Sequence, residues 1–94
     1  MTIVWSARAL RHLVRLRDFI ARDRPSAAQE IALTILSSVN LLTEQPSLGR
    51  PGRLPGTREL VVPGTPYLVP YTVRGNRLEV IAVFHGRQRW PDEL

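Results

Sequence analysis

Apolar residues along this chain change their spacing twice, and the two changes divide it into helices and strands. Thr2-Ile3-Val4-Trp5 is a short β-prone run, and Ser6 follows at a helix N-cap position. From Ala7 to Arg22 the apolar positions Ala9, Leu13, Leu16 and Ile20 fall on one helical face. Leu10, Val14 and Phe19 flank that face, and Arg8, Arg11, Arg15 and Arg22 lie opposite. Asp23-Arg24-Pro25 ends the helix, because a residue before proline is pushed out of the α region. Ser26 and Gln29 have capping-box spacing and predict a second helix that runs to about Thr43. Its apolar side carries Ala28, Ile31, Ile35, Val39 and Leu42, widened by Ala32, Leu33 and Leu36. The short link makes the two helices an antiparallel hairpin. Only one side of such a hairpin can lie on a sheet, which leaves Leu10, Val14, Leu33 and Leu36 near its flanks.

Helical spacing stops at Gln45. From there to Gly56 the chain is loop, broken by Pro46, Gly49, Pro51, Gly52, Pro55 and Gly56. Three β-branched and aromatic runs follow: Thr57 to Val62, Tyr67 to Val73 and Leu78 to Phe84. Pro63-Gly64-Thr65-Pro66 separates the first two, and Gly75-Asn76 suits a tight hairpin between the second and third. The predicted fold is α+β in the order β-α-α-β-β-β, an antiparallel sheet with an N-terminal helical hairpin on one face. The first strand is expected to join that sheet beside a later one.

A chain of 94 residues is expected to make a single domain over residues 1–94, with a modest core. The formal net charge is +5, and all 13 basic residues are arginine, although a GC-rich genome would give the same arginine bias. That balance implies an acidic partner, either nucleic acid or an acidic protein. The absence of cysteine excludes disulfides, thiolate catalysis and Cys-ligated zinc. Two histidines without a carboxylate cluster predict no metal site, and no cofactor is expected. No apolar run is long enough to span a membrane and no signal-peptide layout opens the chain, so a cytoplasmic protein is expected.

Candidate chemistry concentrates near the C-terminal end. His85, after Phe84, is a candidate general acid or base; otherwise it caps the strand end or stacks on Trp90. Arg50, Arg53, Arg58, Arg87 and Arg89 would form one positive patch for phosphates, with Trp90 free to stack on a base. The plainer alternative is a solvated basic surface paired with Glu59, Glu79, Asp92 and Glu93. Glu59 and Glu79 lie in strands, expected on neighbouring solvent faces as cross-strand partners for arginines. Tyr67 and Tyr71 share parity and are expected to pack, whereas His12 is expected to be exposed.

Several segments together resemble the RelE/ParE toxin superfamily. They are Val4-Trp5-Ser6-Ala7-Arg8-Ala9-Leu10, Pro25-Ser26-Ala27-Ala28, Pro46-Ser47-Leu48-Gly49-Arg50, Gly56-Thr57-Arg58-Glu59-Leu60 and Phe84-His85-Gly86-Arg87. The resemblance covers almost the whole chain and implies the toxin half of a type II toxin–antitoxin pair. Such a toxin is silenced within a hetero-oligomer by a cognate antitoxin, a small acidic protein, here ParD-like. The antitoxin's C-terminal segment would wrap the helical hairpin, which makes Leu10, Val14, Leu33 and Leu36 candidate contacts.

Two branches of the superfamily imply different targets. The mRNA-cleaving branch carries an arginine in a Tyr/His-Arg-Leu-Val-Tyr strand to stabilise the phosphorane formed on the ribosome. The matching strand here is Tyr67-Leu68-Val69-Pro70-Tyr71, with Leu68 at the arginine position, and the lysines of that branch are absent. An endoribonuclease would need Arg58, His85 and Arg87 as a substitute catalytic set. The ParE-like branch is closer and implies inhibition of DNA gyrase by binding, without chemistry by the toxin. Arg50, Arg53, Arg58, His85, Arg87, Arg89 and Trp90 are then the candidate target contacts.

Overall fold

The structure is a computed structural model and describes residues 1–91. Along the chain lie β1 (Thr2–Trp5), α1 (Ala7–Ala21), α2 (Pro25–Asn40) with a 3-10 turn at Leu41–Thr43, and β2 (Arg50–Pro51). β3 (Arg58–Val61), β4 (Tyr67–Arg74), β5 (Arg77–Val80) and β6 (Phe84–His85) follow.

Ser6 is the joint between sheet and helices. Its Oγ accepts from the Ala9 N–H at 3.0 Å, as an N-cap should, and donates to the Ile81 carbonyl at 2.8 Å. Its backbone N–H donates to the Val80 carbonyl at 3.0 Å, so the start of α1 is tied directly to the end of β5. The second helix begins two residues earlier than its capping-box spacing predicts, with Arg24 rather than Ser26 at the N-cap position. Pro25 occupies the first turn and no side chain caps it. Proline at this position has its φ already helical and removes an N–H that would lack a partner, so the Ser26–Gln29 box is not used.

The strands run in the order β1-β5-β4-β3-β2, with β6 also on β4. Contrary to the all-antiparallel expectation, β1 pairs with β5 in parallel, from Thr2↔Arg77 to Trp5↔Val80, and the sheet is mixed. A parallel pair needs a long connection, and the helical hairpin together with β2 to β4 supplies it. The expected loop also contributes a strand, since Arg50 and Pro51 pair with Glu59 and Arg58 at the edge.

A break within the predicted run Leu78 to Phe84 has its cause on the neighbouring strand. Tyr71 is level with Val80, but Leu68 is level with Phe84, so two residues of β4 face three residues at Ile81-Ala82-Val83. The Ile81 N–H donates to the Pro70 carbonyl at 2.9 Å, and proline has no N–H to return. The ladder slips by one residue there, which makes a bulge and separates β5 from β6. At the hairpin, Gly75 carries a positive φ of 60° and Asn76 does not, the pattern of a turn with glycine at its first central position.

The helices cover one face of the sheet. Ala9, Ile35, Val39 and Leu42 pack there on Leu60, Val62, Val69, Tyr71, Leu78 and Val80, and Leu13, Leu16, Ile31 and Tyr67 fill in around them. Tyr71 extends this core into the irregular segment after α2. Its ring is fully buried, and its hydroxyl donates to the Pro46 carbonyl at 2.7 Å and accepts from the Gly49 N–H at 2.9 Å. Gly49 is required by contact rather than by backbone angle, because a Cβ there would lie 2.6 Å from the Tyr71 ring. Tyr71→Phe is expected to lower stability by about 1–3 kcal/mol, the cost of leaving two buried backbone groups without a partner. Urea unfolding of the two proteins checks this, and unchanged midpoints would contradict it.

Candidate basic surface around Glu59

Glu59 stands at the centre of the candidate site, and it does not face solvent. It is only 2% exposed, because Arg50 of β2 and Arg53 of the segment between β2 and β3 close over it. Arg50, its cross-strand neighbour, reaches Oε1 at 3.2 Å. Arg53 grips both oxygens, with Nε to Oε2 at 3.0 Å and Nη2 to Oε1 at 3.3 Å, and its backbone N–H adds a bond of 2.9 Å to Oε2. This two-pronged geometry is the strong form of an arginine–carboxylate pair. Burial alone would raise the Glu59 pKa. The hydrogen bonds from the Arg53 side chain and backbone, and then from Arg50, outweigh it and hold the carboxyl below its usual value.

The same guanidinium carries the C-terminal segment. Arg53 stacks over the Trp90 ring with 3.6 Å from Cζ to the ring centroid. Trp90 in turn meets Phe84 at 4.6 Å, and Phe84 meets His12 at 5.3 Å. Trp90 is therefore folded onto the protein rather than held out for a base. Its Nε1 is buried and has no hydrogen-bond partner among the described residues.

His12 departs from expectation as well. It is half-buried, and its Nδ1 accepts from the Val83 N–H at 3.2 Å in the bulge. Burial, followed by Arg8, Arg15 and Arg11, lowers its pKa. The signal was present in the spacing: His12 lies three residues after Ala9 and four before Leu16, on the helical face that packs against the sheet.

The seven predicted target contacts do not form one cluster. Arg50, Arg53 and Trp90 meet around Glu59. Arg58 turns to the loop instead, donating to the Gly49 carbonyl at 2.8 Å and to the Ser47 carbonyl at 3.4 Å. His85 sits at the other end of β4, edge-on to Tyr67 at 5.6 Å and not stacked on Trp90. Its Nδ1 accepts from the Arg87 N–H at 3.0 Å. Arg58 is level with Tyr71 and His85 with Tyr67, four residues apart along one strand. At a rise of roughly 3.3 Å per residue that separation is about 13 Å. Arg58, His85 and Arg87 thus do not converge on one point. Arg87 and Arg89 are exposed, and neither forms an ion pair among the described residues. Asp92 and Glu93, the suggested partners for this patch, lie outside the described residues. Glu79 is half-buried and pairs with Arg77 of its own strand at 3.5 Å, rather than across the sheet.

Leu68, at the position where the mRNA-cleaving branch carries arginine, is buried between Val61 and Phe84. On the helices, Leu10, Val14, Leu33 and Leu36 are exposed, as their flanking positions predict. Leu10 and Val14 border a shallow depression of about 300 Å³ with Arg11 and Arg15. Among the described residues no group of three His, Cys, Asp or Glu could hold a metal ion, and no helix is long and apolar enough to cross a membrane.

Because the folded-state pKa of Glu59 is depressed, its contribution to stability is present above the unfolded value and is lost as pH falls through the folded one. Glu59→Gln is expected to cost about 1.5–3 kcal/mol at neutral pH, the range for one charge-assisted hydrogen bond. It stays at that modest level because both arginines are half-exposed and can rehydrate. The variant should also lose part of the fall in stability that the parent protein shows below pH ~4.5. Urea midpoints measured across that range check both statements; parallel pH profiles would contradict the second.

The chain is matched over residues 3–90 by the family model described as the ParE toxin of the type II toxin–antitoxin system parDE. It is 41% identical over 92 residues to a putative toxin, Y4kP, of Sinorhizobium fredii, covering 98% of this chain and 95% of that protein. Toxin RelE2 of Caulobacter vibrioides is 34% identical over 84 residues, covering 89% of this chain and 93% of the relative. The fold matches a chain of the chromosomal ParDE system from P. aeruginosa with a TM-score of 0.83 and 24% identity, over 90% of this chain and 95% of that one. The mixed sheet, the helical hairpin and the sequence match agree, and the chain belongs to the ParE toxin family of type II toxin–antitoxin systems.

Proposed function

We propose that this toxin acts by binding DNA gyrase and is neutralised by an acidic, ParD-like antitoxin laid across the helical hairpin. The observation that supports a binding toxin most is the dispersal of its basic groups. Arg58 is committed to loop carbonyls about 13 Å along the strand from His85, and a buried leucine stands at position 68. Cleavage of RNA needs charge concentrated at a single phosphorane, with donors within about 3 Å of it. A protein-binding surface has no such requirement. Exposed Leu10 and Val14 beside Arg11 and Arg15 suit an amphipathic acidic helix, whose apolar side would cover the leucine and valine while its carboxylates meet the arginines.

A second reading has one observation in its favour. Two relatives of Caulobacter vibrioides, 34% and 31% identical, carry the RelE name. On that reading the toxin would cut ribosome-bound mRNA with Arg58, His85 and Arg87.

Purified toxin freed of antitoxin separates the two. Inhibition of gyrase supercoiling with accumulation of cleaved DNA, reversed by added antitoxin, is the expected result. Untouched supercoiling, together with new cuts in mRNA on translating ribosomes that vanish in Arg87→Ala, would overturn the proposal.

A further inference from the structure

A cavity of about 380 Å³ lies between α1 and the end of the sheet formed by β4 and β6, away from the Glu59 cluster. His12 and Arg15 of α1, Tyr67 of β4, His85 of β6 and Gln88 beyond it supply its polar wall, and Phe19 stands at its rim. The hydrogen bonds behind these side chains determine what each can offer.

Both histidines have Nδ1 occupied as an acceptor, from the Val83 N–H at 3.2 Å and from the Arg87 N–H at 3.0 Å. A nitrogen that accepts carries no proton, so each neutral ring is fixed as the Nε2–H tautomer and keeps only a donor. The Gln88 Oε1 accepts from the His85 N–H at 3.3 Å, which leaves its NH₂ group to donate. The Tyr67 hydroxyl has no hydrogen-bond partner among the described residues, and Arg15 is in no ion pair there. Among the described residues no Asp or Glu lines the cavity. Of the nearest acidic groups on the helix side, Asp18 pairs with Arg17 at 3.7 Å and Asp23 lines an adjoining depression. The described lining therefore presents donors and one full positive charge, with no carboxylate among the described residues to repel an anion.

We propose that this cavity is an anion site that takes a phosphoryl group, free or carried by a nucleotide. A carboxylate has two oxygens and is matched by a single arginine fork. Donors on five side chains from separate segments suit the three terminal oxygens of a phosphoryl group better. The size falls within the roughly 300–1,000 Å³ usual for small-molecule sites. Exposed Phe19, with Tyr67 shared between this cavity and the adjoining depression, offers flat apolar surface beside the donors on which a base can rest. The proposal is independent of which macromolecule the toxin poisons.

The test is a nuclear magnetic resonance titration of the isotope-labelled full chain at constant ionic strength. Adenosine monophosphate, inorganic phosphate, acetate and a glutamate-rich peptide are the probes. Saturating shifts at the His12 and His85 Nε2–H and at the Gln88 side-chain amide are expected with both phosphoryl probes. Tighter binding of the nucleotide would identify it as the source, and equal binding would identify the free phosphoryl group. Arg15→Ala should weaken binding by about tenfold or more, the loss of one charge-assisted hydrogen bond. Arg11→Ala, an exposed change on the same helix outside the cavity, should leave it unchanged. Both arginines are exposed, so both variants are expected to fold. Equal weakening in the two variants would reduce the effect to general positive charge and overturn the site. Saturation by acetate or the acidic peptide but not by phosphate would overturn it in favour of a carboxylate from a protein partner.

Discussion

A single buried carboxylate sets how the basic half of this molecule is arranged. Glu59 is enclosed between the sheet and the segment before β3, where an unpaired charge would be costly. Arg50 and Arg53 meet that cost, and in doing so each is drawn out of free solution to a fixed position. Two arginines against one carboxylate leave a single net positive charge at this spot, held in place by the contact. Arg53 then stacks on Trp90, so the carboxylate's hold extends through a guanidinium to the segment after β6. Surface charge and chain path are consequences of the same contact.

That arrangement changes the meaning of the high arginine content. A strongly basic protein invites a picture of one continuous phosphate-binding patch, but several of these arginines are committed to separate tasks. Arg50 and Arg53 are committed to Glu59, Arg58 to loop carbonyls, and Arg77 to Glu79. Arg87 and Arg89 remain exposed at the C-terminal end, and a basic row on α1 borders the exposed Leu10 and Val14. Positive charge beside exposed apolar surface is the combination that recognises an amphipathic acidic segment. Dispersed charge with a leucine at position 68 suits recognition better than bond cleavage.

Local signals in the sequence carried the helices almost to the residue. Ser6 caps α1, and Ala9, Ile35 and Val39 are buried where helical spacing puts them, because these depend on contacts a few residues apart. Long-range consequences were harder to see. The parallel pairing of β1 with β5 depends on where the chain returns after the hairpin, which no local pattern encodes. The break between β5 and β6 comes from Pro70 on the adjacent strand, so the run Leu78 to Phe84 looks continuous when inspected alone. Glu59 looks like an outward-facing strand residue by alternation and becomes buried only because Arg50 and Arg53 close over it. His12 differs from expectation for the opposite reason: its arginine neighbours suggest solvent, while its spacing from Ala9 and Leu16 puts it against the bulge at Val83.

The claim on which this account rests is that Glu59 and Trp90 are energetically linked through Arg53. A double-mutant cycle with Glu59→Gln and Trp90→Ala, followed by urea unfolding at neutral pH, measures the link directly. Members of one contact network typically couple by 0.5–3 kcal/mol, so a coupling of about 1 kcal/mol is expected, the second change costing less once the first is made. Additive losses within about 0.3 kcal/mol would show that the carboxylate does not hold the C-terminal segment, and would contradict the account.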